Sequence, residues 1–195
     1  LDTTKSASVS WMMAQFENEP SHPQHVCKLA LQLFDQLHAL HQLKESERDL
    51  LQAAALLHDI GWYHGEKGHH KSTMKMIWNA ELDGWSKSER QMMANIARYH
   101  RKSHPAAKHK KYYKLSKPDK IIVKKLAALL RIADGLDRSH TNAVDSIECA
   151  IDNNSVALTL YGKGNLNMER AGFEKKRQLF LDVYRTGIHL EKTMV

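Results

Sequence analysis

Residues His58 and Asp59 close the most apolar stretch of the chain, Ala53-Ala-Ala-Leu-Leu-His-Asp-Ile-Gly61. With thirteen His and eleven Asp in 195 residues, chance alone supplies a His-Asp pair about 0.7 times. The setting of the pair therefore carries the weight. A neutral imidazole and a carboxylate buried together cost free energy unless something satisfies both, and a divalent cation does so directly. Neighbouring residues on a helix point about 100° apart, so both can address one ion only at a helix end, where Gly61 frees the backbone. Further candidates lie at the ends or on the apolar faces of other segments: His25, His70, His100 and Asp134, the last followed a turn later by Asp137 and Arg138. Each has a plainer reading. His25 and His100 can be capping or core histidines, and Asp134 can pair with Arg131 or Arg138 at helical spacing.

Five helical segments must position these residues. Between Pro23 and His41, Val26, Leu29, Ala30, Leu33, Phe34, Leu37 and Leu40 recur with the period of a helix that buries one face. Ser46-Glu-Arg-Asp49 reads as a capping box opening a second helix, from Glu47 to about Asp59. A third spans about His70 to Glu81. A fourth follows the capping box Ser86-Lys-Ser-Glu89 and runs to about Lys102, and a fifth runs from Pro118 to about Leu136. Past Asn142 the period changes to two. Ile147, Cys149 and Ile151, then Val156, Leu158 and Leu160, flank the turn Asp152-Asn-Asn-Ser155, which predicts a β-hairpin. A helix over about Met168–Arg185 and a short strand at Ile188–Leu190 complete the chain. The expected fold is mainly α: a polar N-terminal segment (1–21), a helical domain (22–141) and a small C-terminal α/β appendage (142–195) packed on it.

Composition narrows the class. A chain that is 42% hydrophobic and 26% charged belongs with globular proteins. No apolar run approaches a bilayer span, and no secretory signal is visible. Two cysteines, Cys27 and Cys149, are too few for a disulfide framework, so a cytoplasmic location is expected. The first residue is Leu1 rather than Met, as in a fragment or processed chain. The net charge of +7 is uneven: Arg98 to Lys125 holds eleven Lys or Arg against one acid, Asp119, or +10, leaving −3 for the rest. This points to an anionic partner met locally, or to a lysine-solvated loop.

The order His25 … His58-Asp59 … His70 … His100 … Asp134 resembles the HD superfamily of metal-dependent phosphohydrolases. Phe34-Asp-Gln-Leu, Ala54-Ala-Leu-Leu-His-Asp-Ile-Gly, Ala97-Arg-Tyr-His-Arg-Lys and Leu129-Leu-Arg-Ile-Ala-Asp-Gly-Leu-Asp-Arg-Ser-His140 more closely resemble the C-terminal HD-type domain of the exopolyphosphatase / guanosine pentaphosphate phosphohydrolase family. The likeness runs from about Pro23 to Leu190. It implies an HD-type helical bundle in which His25, His58, Asp59 and Asp134 hold a principal metal, His70 and His100 serve a second, and Asp59 bridges the two. Full-length relatives carry their polyphosphate chemistry on an actin-like two-lobed domain that this chain has no room to encode, so the resemblance does not transfer exopolyphosphatase activity.

Histidine and carboxylate ligands suit one or two ions of Mn²⁺, Fe²⁺, Zn²⁺, Ni²⁺ or Mg²⁺. Such an ion acidifies water and polarises a phosphoryl oxygen. With Asp59 at its centre, the catalytic set would add Arg101, Lys102 and Arg138 to meet the charge that develops on phosphate. The expected activity is hydrolysis of a phosphate ester or nucleotide. A second reading is a non-catalytic module binding polyphosphate, nucleotide or RNA through residues 98–125; a third is a dimerisation piece of a larger phosphatase, with a homodimer as its assembly. Within the basic segment, Tyr112 and Tyr113 either close over a ligand or pack the loop.

Overall fold

The computed structural model describes residues 1–195 except 17, 18, 153 and 195. It is mainly α with a small three-stranded sheet near the C-terminus. Residues 3–16, read from the sequence only as a polar segment, form helix α1 (Thr3–Phe16). Its Ser- and Thr-rich sequence has little helix propensity of its own. Val9, Met12 and Met13 hold it by packing toward α4 (Glu45–Leu56) and the 3₁₀ turn Ile60–His64.

Helix α2 (Ser21–Gln36) buries Val26, Leu29, Ala30, Leu33 and Phe34, as the periodicity demands. The chain then turns through α3 (His38–His41), shorter than the continuous helix expected. His41 caps this corner: its Nε2 meets Phe34 O at 2.7 Å, and its Nδ1 accepts from Leu43 N at 2.9 Å. In α4 the predicted box shifts by two residues, because Glu47 accepts from Lys44 N at 2.7 Å. Helices α5 (His69–Asn79) and α6 (Lys87–Arg98) follow, and the second box is present: Ser86 Oγ accepts from Glu89 N at 3.2 Å and Glu89 Oε2 from Ser86 N at 2.8 Å. After the short α7 (Lys110–Tyr113) comes α8 (Lys117–Gly135), capped by Ser116 and central to the core; it packs on α2, α4 and α6.

Strands β1 (Val144–Ile151) and β2 (Ser155–Gly162) form the expected antiparallel hairpin, and Asp152 Oδ1 closes its turn by accepting from Asn154 N and Ser155 N. The exposed edge of β1 is sealed by two glutamines of α2. Gln32 Oε1 accepts from Ile147 N at 3.0 Å, while Gln36 accepts from Cys149 N at 2.8 Å and donates to Ile147 O at 2.9 Å. Strand β3 (Gly187–Met194) joins β2 in parallel, longer than expected. The single helix predicted before it is two, α9 (Asn167–Lys176) and α10 (Gln178–Tyr184), where the ladder tightens and Phe180 N donates to Arg177 O. Among the described residues, no helix is long and apolar enough to cross a membrane.

Helices α8 and α9 cross in close contact. Gly135 and Gly172 meet backbone to backbone, and a Cβ on either would strike the carbonyl of the other. We therefore expect Gly172→Ala to cost about 1–3 kcal/mol, because a backbone carbonyl has nowhere to yield. Urea denaturation should show a lower midpoint at an unchanged slope; an unshifted midpoint would show that the crossing tolerates a methyl group.

Candidate metal centre

Helix α4 stops at Leu56, so His58 and Asp59 sit in the turn beyond it rather than on the helix. That turn is latched to α5. Thr73 Oγ1 donates to His58 O and accepts from Gly61 N, both at 3.0 Å, and a side chain at Gly61 would collide with the His69 carbonyl and with Thr73. The sharp turn lets both adjacent side chains face one interior space, which an unbroken helix forbids.

Two groups of side chains converge there: His22, His58 and Asp134, and Asp59, His69 and His100, all buried, with the donor atoms of each group within 4.8 Å of one another. Asp59 joins the two. Its Oδ2 lies 3.6 Å from His58 Nε2 and 3.8 Å from His22 Nε2. Its Oδ1 lies 3.2 Å from His69 Nε2 and 3.4 Å from His100 Nε2. Asp134 Oδ1 closes the first group, 3.5 Å from His22 Nε2 and 3.9 Å from His58 Nε2. Two ligands at about 2.1 Å from one ion, at tetrahedral or octahedral angles, stand about 3.0–3.4 Å apart. These separations fit that spacing or slightly exceed it.

Each ring is fixed by its far nitrogen. His58 Nδ1 donates to Ala55 O and His100 Nδ1 to Ala97 O, both at 2.7 Å, while His69 Nδ1 lies 3.2 Å from Glu66 O. His22 Nδ1 donates to Asp137 Oδ2 at 2.7 Å, and Asp137 is itself fully buried and held by Asn142 N. These bonds leave Nε2 as the nitrogen that faces the centre, where His69 Nε2 also lies 3.3 Å from both His100 Nε2 and Arg101 Nη1. The Nε2 atoms of His22 and His58 have no hydrogen-bond partner, although both are buried. Unpartnered nitrogens aimed at two carboxylates are what a divalent cation completes, so the donor set fits one or two such ions.

Electrostatics agree. Burial alone would raise the Asp59 carboxyl, but His58, His69 and His100, when protonated, hold it well below the usual range. Burial lowers His58 and takes His100 well below its ordinary value, so both rings are neutral, the form that ligates.

The centre floors a cleft of about 290 Å³ with a cationic rim. Arg101, Lys102 and Arg138 line it as expected; Arg131, Lys175 and Lys176 line it too. Arg131 is held by Tyr99 O at 2.9 Å, and burial lowers its guanidinium to about 10. Lys176 reaches over from α9 to pair with Asp134 Oδ2, leaving Oδ1 toward the histidines. Burial, then Arg131, pushes its amine down to about 7. His140 stacks on His22 with centroids 3.7 Å apart and separates the cleft from a smaller opening lined by Phe16, Pro23 and Trp62.

Two expected ligands lie outside both groups. His25 is one turn beyond His22 on α2; it bonds the backbone of Val144, and burial lowers its pKa. On this helix His22 is the residue whose ring reaches the centre. His70 is half-buried beside His69, pushed down to about 4 by burial and then by His69 and Arg101. The helix begins at His69, one residue earlier than expected, and that turns His69 inward instead. Both misses are register errors within signals the sequence carries, a His22/His25 pair and a His69-His70 doublet. Lys175 and Lys176 left no local signal, because the α8–α9 crossing alone brings them to the site.

These placements predict metal content. Equilibrated with Mn²⁺ and desalted, the protein should retain one to two equivalents by elemental analysis. His22→Ala, His58→Ala or Asp134→Ala should remove one site, His69→Ala or His100→Ala the other, and Asp59→Ala both. His25→Ala and His70→Ala should match wild type; loss in these two with retention in His22→Ala would reverse the assignment.

Stability should also depend on pH. The folded-state values of His58 and His100 lie below 6.5, so in mild acid the unfolded chain binds protons that the folded one does not. Chelator-treated protein should therefore lose stability as pH falls from about 6.5 to 5, and His100→Gln should flatten that slope in urea titrations. The Asp59 contribution is lost only at still lower pH.

Among known families, residues 4–179 match the family model described as Ppx/GppA phosphatase, domain III.

Proposed function

The chain belongs to the Ppx/GppA phosphatase domain III family, and from that premise we propose that it is a metal-dependent phosphohydrolase of the HD type, acting on a phosphate ester or nucleotide. The observation that carries the reading is the arrangement around Asp59. Its two oxygens face two histidine groups, and in one of them the buried Nε2 atoms of His22 and His58 have no hydrogen-bond partner, at the floor of a cationic cleft. His22, His58, Asp59 and Asp134 would hold one divalent ion, and Asp59, His69 and His100 a second, which would supply Lewis acidity and lower the pKa of water.

The chain's own residues supply the rest. Arg101, Lys102 and Arg138 present their charges into the cleft, where they can bind phosphate and meet the charge that grows on its oxygens. Arg131, fixed on the Tyr99 carbonyl, is preorganised for the same role. Lys176 holds Asp134 and so keeps Oδ1 directed at the histidines. Asp137 holds His22 in the tautomer that leaves Nε2 unprotonated. The two cysteines are free and burial pushes both thiols up to about 12, which suits the reducing cytoplasm the reading implies.

A screen of phosphomonoesters, nucleotides and bis(p-nitrophenyl) phosphate with Mn²⁺, Mg²⁺, Fe²⁺ or Ni²⁺ should find hydrolysis that chelator stops. His58→Ala and Asp59→Ala should abolish it, and Arg101→Ala or Arg138→Ala should lower kcat by about 10²-fold or more. Full activity in either of the first two variants would overturn the reading.

A further inference from the structure

The fold divides the charge concentrated between Arg98 and Lys125. Arg101 and Lys102 enter the cleft, and Lys125 turns inward, donating to His41 O at 2.7 Å. Of the described residues that line the cleft, none comes from 107–114. The lysines there form a separate surface.

That surface is built on an anchored helix. Tyr112 of α7 is buried and meets Tyr99, just past the end of α6, edge-on, with ring centroids 5.9 Å apart, and the Tyr99 hydroxyl lies 2.9 Å from His109 Nδ1. This settles half of the question left by the two tyrosines: Tyr112 packs. Tyr113 does the reverse and is 66% exposed. Around it runs a shallow groove of about 370 Å³ lined by Ala107, Lys108, Lys110, Tyr113 and Lys114. Other cations gather alongside. Lys111 lies over the Trp78 ring at 4.2 Å, and burial, then Lys114 and Lys75, lower its amine below the usual value. His109 is lowered by burial and then by Arg98, Lys108 and Lys71. The charged neighbours that act on either group are cationic: Lys71 and Lys75 on α5, Arg98 on α6, and Lys108 and Lys114 on either side of α7. Such a cluster repels itself unless an anion shares it.

We propose that the α7 surface binds single-stranded nucleic acid, with Lys108, Lys110 and Lys114 on the phosphates and a base stacked on Tyr113. Lysines alone would serve any polyanion. The exposed ring among them selects a chain that carries unstacked bases, because stacking on an aromatic face adds affinity that an inorganic chain cannot gain. Lys120 lies over one face of the ring, 5.1 Å from its centroid, so the base would stack on the opposite face. This inference is independent of the phosphohydrolase reading, since it shares no residue with the cleft.

The test uses a fluorescein-labelled 20-nucleotide oligouridylate and the full chain, followed by fluorescence anisotropy between 50 and 200 mM NaCl. Three phosphate contacts predict a slope of log affinity against log salt of about −2. The triple variant Lys108→Glu, Lys110→Glu, Lys114→Glu should weaken binding at least tenfold and flatten that slope. Tyr113→Ala should weaken it about tenfold while Tyr113→Phe holds near wild type. All four positions are exposed or half-buried at the surface, so an unchanged thermal midpoint should confirm that the variants fold. Metal-dependent hydrolysis should be unaltered in all of them. Absent or salt-insensitive binding, wild-type affinity in Tyr113→Ala, or equal competition by polyphosphate of matched charge would overturn the proposal. So would loss of binding confined to the cleft variants Arg101→Ala and Arg138→Ala.

Discussion

Asp59 is the constraint on which the rest of the structure turns. It is one carboxylate in a sharp turn, and its two oxygens face two different sets of imidazoles. Placing it there requires α4 to end at Leu56, the next residues to be pinned by Thr73, and Gly61 to lie against α5 with no side chain between them. Each condition answers a cost. A buried carboxylate without partners is expensive, and protonated imidazoles would bring competing protons rather than lone pairs. The far-nitrogen bonds to Ala55, Ala97 and Asp137 fix which nitrogen is protonated, and burial keeps His58 and His100 neutral.

The C-terminal layer is bound to the same centre. Its sheet is tied to the helical body at two places of different kind. At β1, Gln32 and Gln36 of α2 occupy backbone groups that would otherwise be an open edge. At α9, the Gly135–Gly172 contact draws the helix so close to α8 that Lys176 reaches Asp134 and Lys175 reaches the cleft. Residues more than thirty positions downstream of Asp134 thus complete the surroundings of a side chain on the central helix. The C-terminal part of the chain thus contributes two of the cleft's cations.

Much of this was legible beforehand, and the limits have physical causes. Periodicity of 3.6 and 2 located the helices and the hairpin because one-sided burial imposes those periods. The apolar helix ending in His58-Asp59, and Asp134 inside the buried face of α8, signalled a polar centre because buried charge needs a partner. What sequence could not resolve was which of two neighbours points inward. His22 and His25 lie one turn apart on one helix, and His69 and His70 differ by a single residue at a helix start whose position propensity does not fix. Helix α1 was missed because only Val9, Met12 and Met13 mark it, and their contacts are tertiary. Lys176 was invisible for the reason that any contact set by a helix crossing is invisible along the chain.

Charge explains why the basic segment divides in two. The cleft holds two carboxylates, Asp59 and Asp134, against Arg101, Lys102, Arg131, Arg138, Lys175 and Lys176. It is cationic before any ion enters, and a divalent cation makes it more so. A metal and an anion bound there together would assist each other, since each would offset the charge that the other leaves uncompensated, and that coupling would be the same in both directions. Lysines 108–114 have no carboxylate core to balance and no enclosed floor to focus their field. A small phosphate compound gains little there beyond screened attraction in water. A chain of phosphates that spanned several lysines would gain from each of them, so on charge and shape the enclosed site would suit a compact anion and the open one a long anion.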